Sequence, residues 1–114
     1  MLSIAKLEEY GADVKTGLER CLGSEDFYLR MVGMLRNEDN FRILDEALAA
    51  NDLDKAFEAA HALKGVTGNL ALTRLFDQIS ELTELLRART VMDYSGYREK
   101  IAEDKKLLDA LIDG

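Results

Sequence analysis

Apolar residues recur at three- and four-residue spacing through every long segment of this chain, and nowhere do they alternate as a half-buried strand requires. The sequence contains no proline, so no residue is present that must break a helix interior. Strong helix formers dominate the composition: Ala, Leu, Glu, Lys and Arg. Together these features restrict the chain to an all-α fold. Its 114 residues suffice for one domain with its own core, and residues 1–114 are read as a single helical bundle domain.

Punctuation residues divide the pattern. A short first helix is expected from Ile4 to Glu9, ending at Tyr10-Gly11. Asp13 caps a second through Leu22, with Val14, Leu18, Cys21 and Leu22 on one stripe, and Gly23 stops it. Ser24 starts a third, with Glu25 and Asp26 in its first turn and Phe27, Met31, Met34 and Leu35 inward. Residues 37–40 form a polar break. A helix from about Phe41 to Ala50 buries Leu44 and Leu48, and Asn51-Asp52 turns the chain. The central helix runs from about Leu53 to Asn69 or beyond. The next is capped near Thr73 and carries Leu75, Phe76, Ile79, Leu82 and Leu86. The last begins at Asp93 or Ser95 and reaches Ile112 on Tyr97, Ile101, Leu108 and Leu111. Short connections favour antiparallel neighbours. The expected architecture is an up-and-down antiparallel four-helix bundle with additional short N-terminal helices.

Charge and cysteine content narrow the functional classes. A net charge of −7 argues against nucleic acid and against an anionic membrane surface, both of which need clustered positive charge. The single cysteine, Cys21, permits no internal disulfide. It reads as a small core residue of a protein in a reducing compartment. No apolar run approaches the roughly 20 residues of a membrane span, and the N-terminus lacks the pattern of a secretory signal. The cytoplasm is the expected location.

The only histidine, His61, lies in the central helix within Ala60-His61-Ala62-Leu63-Lys64-Gly65. At about 100° per residue, Phe57, Lys64, Gly65 and Gly68 fall within roughly 60° of His61. Ala59, Leu63, Val66 and Leu70 fall on the opposite side, which is the core stripe. His61 therefore points away from the core. An interior glycine costs a helix up to about 1 kcal/mol relative to alanine. Gly65 and Gly68 place that cost where nothing needs packing, and their simplest use is access for another protein, although Gly68-Asn69 also reads as a frayed helix end. Lys64, one turn on from His61, can pair with phosphoryl oxygens or be an ordinary solvated lysine. The whole face suits a histidine that takes and passes on a phosphoryl group.

Other chemistries lack their residues. One histidine and one distant cysteine do not make a zinc site, so no metal is expected on this chain. There is no nucleophile elbow and no glycine-rich phosphate loop. The chain is expected to bind no ATP and to have no turnover of its own.

The run His61-Ala62-Leu63-Lys64-Gly65-Val66-Thr67-Gly68-Asn69-Leu70 resembles the motif of histidine-containing phosphotransfer (HPt) domains of two-component phosphorelays. That motif is roughly H-x-L-K-G, followed by small residues and Leu-Gly. The stretch Asp13 to Leu35, with Gly17-Leu18, Gly23 and Phe27-Tyr28, looks like the family's N-terminal helices, and the resemblance spans about residues 10–110. One departure is visible: the usual glycine after Leu70 is Ala71, which puts the bend there in question but not the histidine.

The resemblance implies a phosphorelay intermediate and not an enzyme. His61 takes a phosphoryl group from a receiver-domain aspartate and passes it to another receiver, with Lys64 stabilising the phosphoryl group. The chain itself needs no cofactor; Mg²⁺ belongs to the partner receiver. Expected partners are response-regulator receiver domains and a hybrid or separate histidine kinase, and the carrier is expected to be a monomer. Met1 and the self-contained helices lean towards a free-standing protein. Phe57, Glu58, Ala62, Gly65 and Gly68 are placed on the docking surface, Phe57 either as an interface anchor or covered by an N-terminal helix. Ser80 and Thr83 of the following helix point roughly towards the phosphoryl position. The alternative is a non-phosphorylated helical adaptor that docks receivers; an unrelated bundle with an incidental histidine leaves the glycines unexplained.

Overall fold

A computed structural model describes residues 1–114. The helices are α1 (Ile4–Tyr10), α2 (Val14–Arg20), α3 (Glu25–Gly33), α4 (Asn40–Ala49), α5 (Leu53–Asn69), α6 (Thr73–Arg87) and α7 (Ser95–Asp113). A 3₁₀ turn at Met34–Asn37 joins α3 to α4. Helix α5 packs on α4 and α6, and α7 closes the bundle against α6 and α4. The short α1, α2 and α3 lie beside this four-helix unit. No helix is long and apolar enough to cross a membrane.

Local chemistry places the helix starts. Ser3, Asp13, Ser24 and Asp52 each accept a hydrogen bond from the backbone N–H three residues on, satisfying a donor that the first turn leaves open. The ends use the left-handed region. Gly11 closes α1 at φ 99°. Leu22, Asn51, Ala71 and Arg89 hold φ between 53° and 58° just beyond α2, α4, α5 and α6. Glycine, and less readily asparagine, adopts this conformation at little cost, so Leu22, Ala71 and Arg89 carry backbone strain at these turns. Ala71 shows that the bend after α5 survives without glycine: its φ is 53°, and Leu72 N–H still reaches back to Thr67 O at 2.9 Å.

The core joins Leu7, Tyr10, Tyr28, Val32 and Leu35 to Leu44, Leu63, Leu75, Ile79, Leu82, Leu86 and Leu108, all buried. Cys21 is buried and unpaired. Two inward stripes differ from the sequence expectation. Helix α2 stops at Arg20, so Leu22 falls in the turn and is 96% exposed. Along α3 and the 3₁₀ turn that follows, the buried face is Tyr28, Val32 and Leu35, while Phe27 and Met34 face solvent. Positions 27-31-34 and 28-32-35 have the same helical spacing, and tertiary contacts choose between them. Tyr28 wins because its ring lies over Gly17 and its hydroxyl donates to Leu70 O at 2.8 Å.

The N-terminal helices are tied to the end of α5 by backbone acceptors. Asp13 N–H donates to Ala71 O at 2.9 Å, Tyr28 Oη to Leu70 O, and the Arg20 guanidinium to Gly68 O. Burial pushes the Tyr28 phenol up to about 12, so it remains a donor at neutral pH. A second tie uses Asp104, a buried carboxylate in the middle of the α7 stripe. Its side chain accepts from Gln78 of α6 and lies 3.5 Å from Lys100 Nζ. Its carbonyl accepts from Tyr10 Oη at 2.7 Å.

Two stability predictions follow from these positions. A Cβ at Gly17 would stand 2.5 Å from the Tyr28 ring, so Gly17→Ala is expected to cost about 2 kcal/mol in urea unfolding, the scale of core overpacking; unchanged stability would contradict the Tyr28 packing. Ala71→Gly is expected to raise stability by about 1 kcal/mol, because glycine occupies the left-handed region without the Cβ clash. A loss of stability in that variant would mean that residue 71 is not left-handed.

Candidate functional site

The buried residues of α5 are Ala56, Ala59, Ala60, Leu63 and Thr67. They share one side of the helix, so His61 is turned outward and is exposed. Small residues on that buried stripe let α5 sit close to its neighbours, and Thr67 returns its hydroxyl to Leu63 O at 2.8 Å, so it buries no unpaired polar atom.

His61 lies in an open cleft of about 790 Å³. Helix α5 contributes His61, Lys64, Gly65, Gly68 and Asn69; α2 contributes Thr16 and Arg20; Thr73, Phe76 and Asp77 come from α6. Lys64 is half-buried, so its stem lies along the cleft wall while its ammonium can reach the mouth. Arg20 occupies the far end, held on Gly68 O. Two cations and a histidine therefore share a concave surface on a chain whose net charge is −7.

The two glycines of the motif have different surroundings. A Cβ at Gly65 would meet nothing within 4 Å, so that position keeps the cleft low beside His61. At Gly68 a Cβ would stand 2.9 Å from the Phe76 ring. Gly68 therefore makes room for packing between α5 and α6, which corrects the expectation that nothing needs packing at this position. The helix wheel did not reveal this because Phe76 comes from another element.

Phe57 packs against its own helix and the end of α6. It is half-buried, and its ring is stacked with the His61 imidazole, with centroids 5.7 Å apart and planes 12° apart. The guanidinium carbons of Arg87 and Arg89, at the end of α6, lie 5.0 and 5.7 Å from its centroid. Glu58 and Ala62 are exposed on α5 but do not line the cleft. Thr83 is buried and donates to Ile79 O at 2.6 Å, so it is not available to a group on His61. Ser80 is half-buried and outside the cleft lining.

The residues that sequence reasoning passed over are Thr16, Arg20, Asn69 and Asp77. Arg20 was visible only as a basic residue in the last turn of a short helix, and nothing local links it to a position 48 residues later. Asn69 follows the glycine of the motif and reads equally as a helix end.

A family model described as the Hpt domain matches residues 34–114. The matched span holds α4 to α7 and all of the α5 motif, whereas Thr16 and Arg20 stand outside it. Neither the curated proteins nor the solved structures give a match to the chain. On the family match, the chain belongs to the Hpt domain family, phosphocarriers of two-component signalling that interact with receiver domains and histidine kinases.

Proposed function

We propose that His61 accepts a phosphoryl group from the aspartyl phosphate of one receiver domain and delivers it to the aspartate of another. The observation that carries this reading is the exposed His61, the only histidine of the chain, set in an open cleft beside a half-buried lysine on the helix face opposite the core. A ring-nitrogen lone pair attacks phosphorus in line. The N–P bond forms as the P–O bond to the receiver's aspartate breaks, and the carboxylate leaves with the bond's electron pair. Delivery is the reverse step on a second receiver. The receiver supplies the divalent cation that offsets charge on the moving phosphoryl group; this chain supplies the nucleophile, its placement and the Lys64 charge.

The surroundings of His61 support this division of labour. Gly65 leaves space for a partner's surface to approach the ring, and the cleft is shallow enough to admit a macromolecule. Lys64 is placed to meet phosphoryl oxygens once the group has moved. We infer further that the carrier works as a monomer in the cytoplasm, where receivers and kinase domains meet it by diffusion.

Incubation with a receiver carrying labelled phosphate is expected to give acid-labile, alkali-stable label on the wild type and none on His61→Gln. Label persisting on His61→Gln would overturn the assignment. A wild type that binds the phosphorylated receiver yet never takes label would favour a docking adaptor. Lys64→Ala is expected to slow transfer about tenfold, equivalent to about 1.4 kcal/mol of one charge contact, with an unchanged melting temperature. A full-rate variant would mean that Lys64 is only a solvated surface residue.

A further inference from the structure

An exposed imidazole on a helix surface is free to rotate about a broad outer torsion. A nucleophile that must meet phosphorus in line loses rate by such freedom, because only a small part of its orientations is productive. The hydroxyl of Thr67 turns back onto its own helix, the Asp54 carboxylate pairs with Arg89, and no side-chain hydrogen bond holds the imidazole. The contact that orients the ring is the stack on Phe57, one helical turn before it.

Phe57 is itself half-buried and packed against the core. Arg87 and Arg89 lie over its ring at 5.0 and 5.7 Å, a separation at which a guanidinium is attracted to an aromatic face. Both arginines are anchored elsewhere. Arg87 Nε donates to Glu84 at 3.2 Å. Arg89 bridges the two helices, donating to Leu86 O at 2.7 Å and pairing with Asp54 of α5 at 2.5 Å. The end of α6 and the start of α5 thus hold one aromatic ring in place, and that ring supports the histidine.

We infer that Phe57 is a positioning residue for phosphoryl transfer: flanked by Arg87 at the end of α6 and Arg89 just beyond it, its ring keeps the exposed His61 imidazole nearly parallel to itself and so narrows the orientations that can meet an incoming phosphorus. This deepens the phosphotransfer reading and rests on it. It also separates Phe57 from an interface anchor, which would keep its ring free for the partner. No bond is made or broken by Phe57; its effect is on the share of His61 orientations that can react.

The test uses Phe57→Leu, which keeps an apolar side chain and removes the stack, and Phe57→Tyr, which restores the ring. Circular dichroism checks that each variant is folded. Single-turnover transfer from a phosphorylated receiver, over a range of receiver concentrations, separates the saturating rate from the half-saturation concentration. Phe57→Leu is expected to lower the saturating rate about tenfold while leaving half-saturation within about twofold of wild type, and Phe57→Tyr is expected to recover the rate. An unchanged saturating rate, with or without weaker half-saturation, would overturn the positioning role; weaker half-saturation alone would make Phe57 a docking anchor. The proton NMR shifts of the His61 ring provide a readout without a receiver. They are expected to carry a ring-current displacement that Phe57→Leu abolishes and Phe57→Tyr retains, and identical shifts in all three proteins would overturn the stack. A wild type that takes no label would overturn the phosphotransfer reading and the positioning role with it, while the ring-proton shifts would still report whether the stack exists.

Discussion

The last carbonyls of a helix have no partners within it, and at the end of α5 they organise the molecule. Gly68, Leu70 and Ala71 present their oxygens to Arg20, Tyr28 and Asp13. One short stretch of backbone thereby anchors α2 and α3. It also sets the rotation of α5, because Leu70 and Leu72 must be buried on either side of the left-handed Ala71. With that rotation set, the stripe of Ala56, Ala59, Ala60, Leu63 and Thr67 faces inward, and His61 can only face out. The exposure of the histidine is therefore a consequence of packing on the opposite side of its helix.

The same geometry explains why a carrier needs so few special residues. Phosphoryl transfer depends chiefly on placement and charge, with little covalent work for the protein. In the transfer we propose, a rigid helix provides the placement, a lysine one turn on provides charge, and a glycine leaves room. The cost of Gly65 is modest, and no internal packing is lost because its missing Cβ would touch nothing. The site also joins parts with different relations to the family pattern. His61, Lys64 and Gly65 belong to the matched span, whereas Thr16 and Arg20, at the other end of the cleft, come from helices outside it.

Much of this was legible in the sequence wherever the signal is local. Helix starts were marked by Asp13 and Ser24, each of which caps its own helix in the structure, and the central helix begins at Leu53, where its periodicity placed it, and ends at Asn69. The outward direction of His61 followed from counting residues around a wheel. What was hidden depends on contacts between distant elements. The two possible inward faces of α3 are equally periodic, and only Gly17 and Leu70 O select Tyr28 over Phe27. Gly68 looked like an opening to the outside because Phe76, which fills the space above it, lies beyond a turn. Asp104 occupies a stripe position between Ile101 and Leu108 and finds its partners on α6 and within α7, a site where apolar periodicity alone would place a leucine. Phe57 was recognised as unusual, but its partners at the end of α6 could not be known before the antiparallel pairing of α5 and α6 was seen.

The central claim is that the single imidazole of this chain carries the phosphoryl group. Because His61 is the only histidine, ¹⁵N-histidine labelling makes one ring visible to NMR. After transfer from a phosphorylated receiver, the account predicts a ³¹P–¹⁵N coupling to one nitrogen of that ring, with its ring-proton signals shifted and the remaining backbone signals of α5 unchanged in helical character. Transferred phosphorus that shows no coupling to either nitrogen of His61 would contradict it.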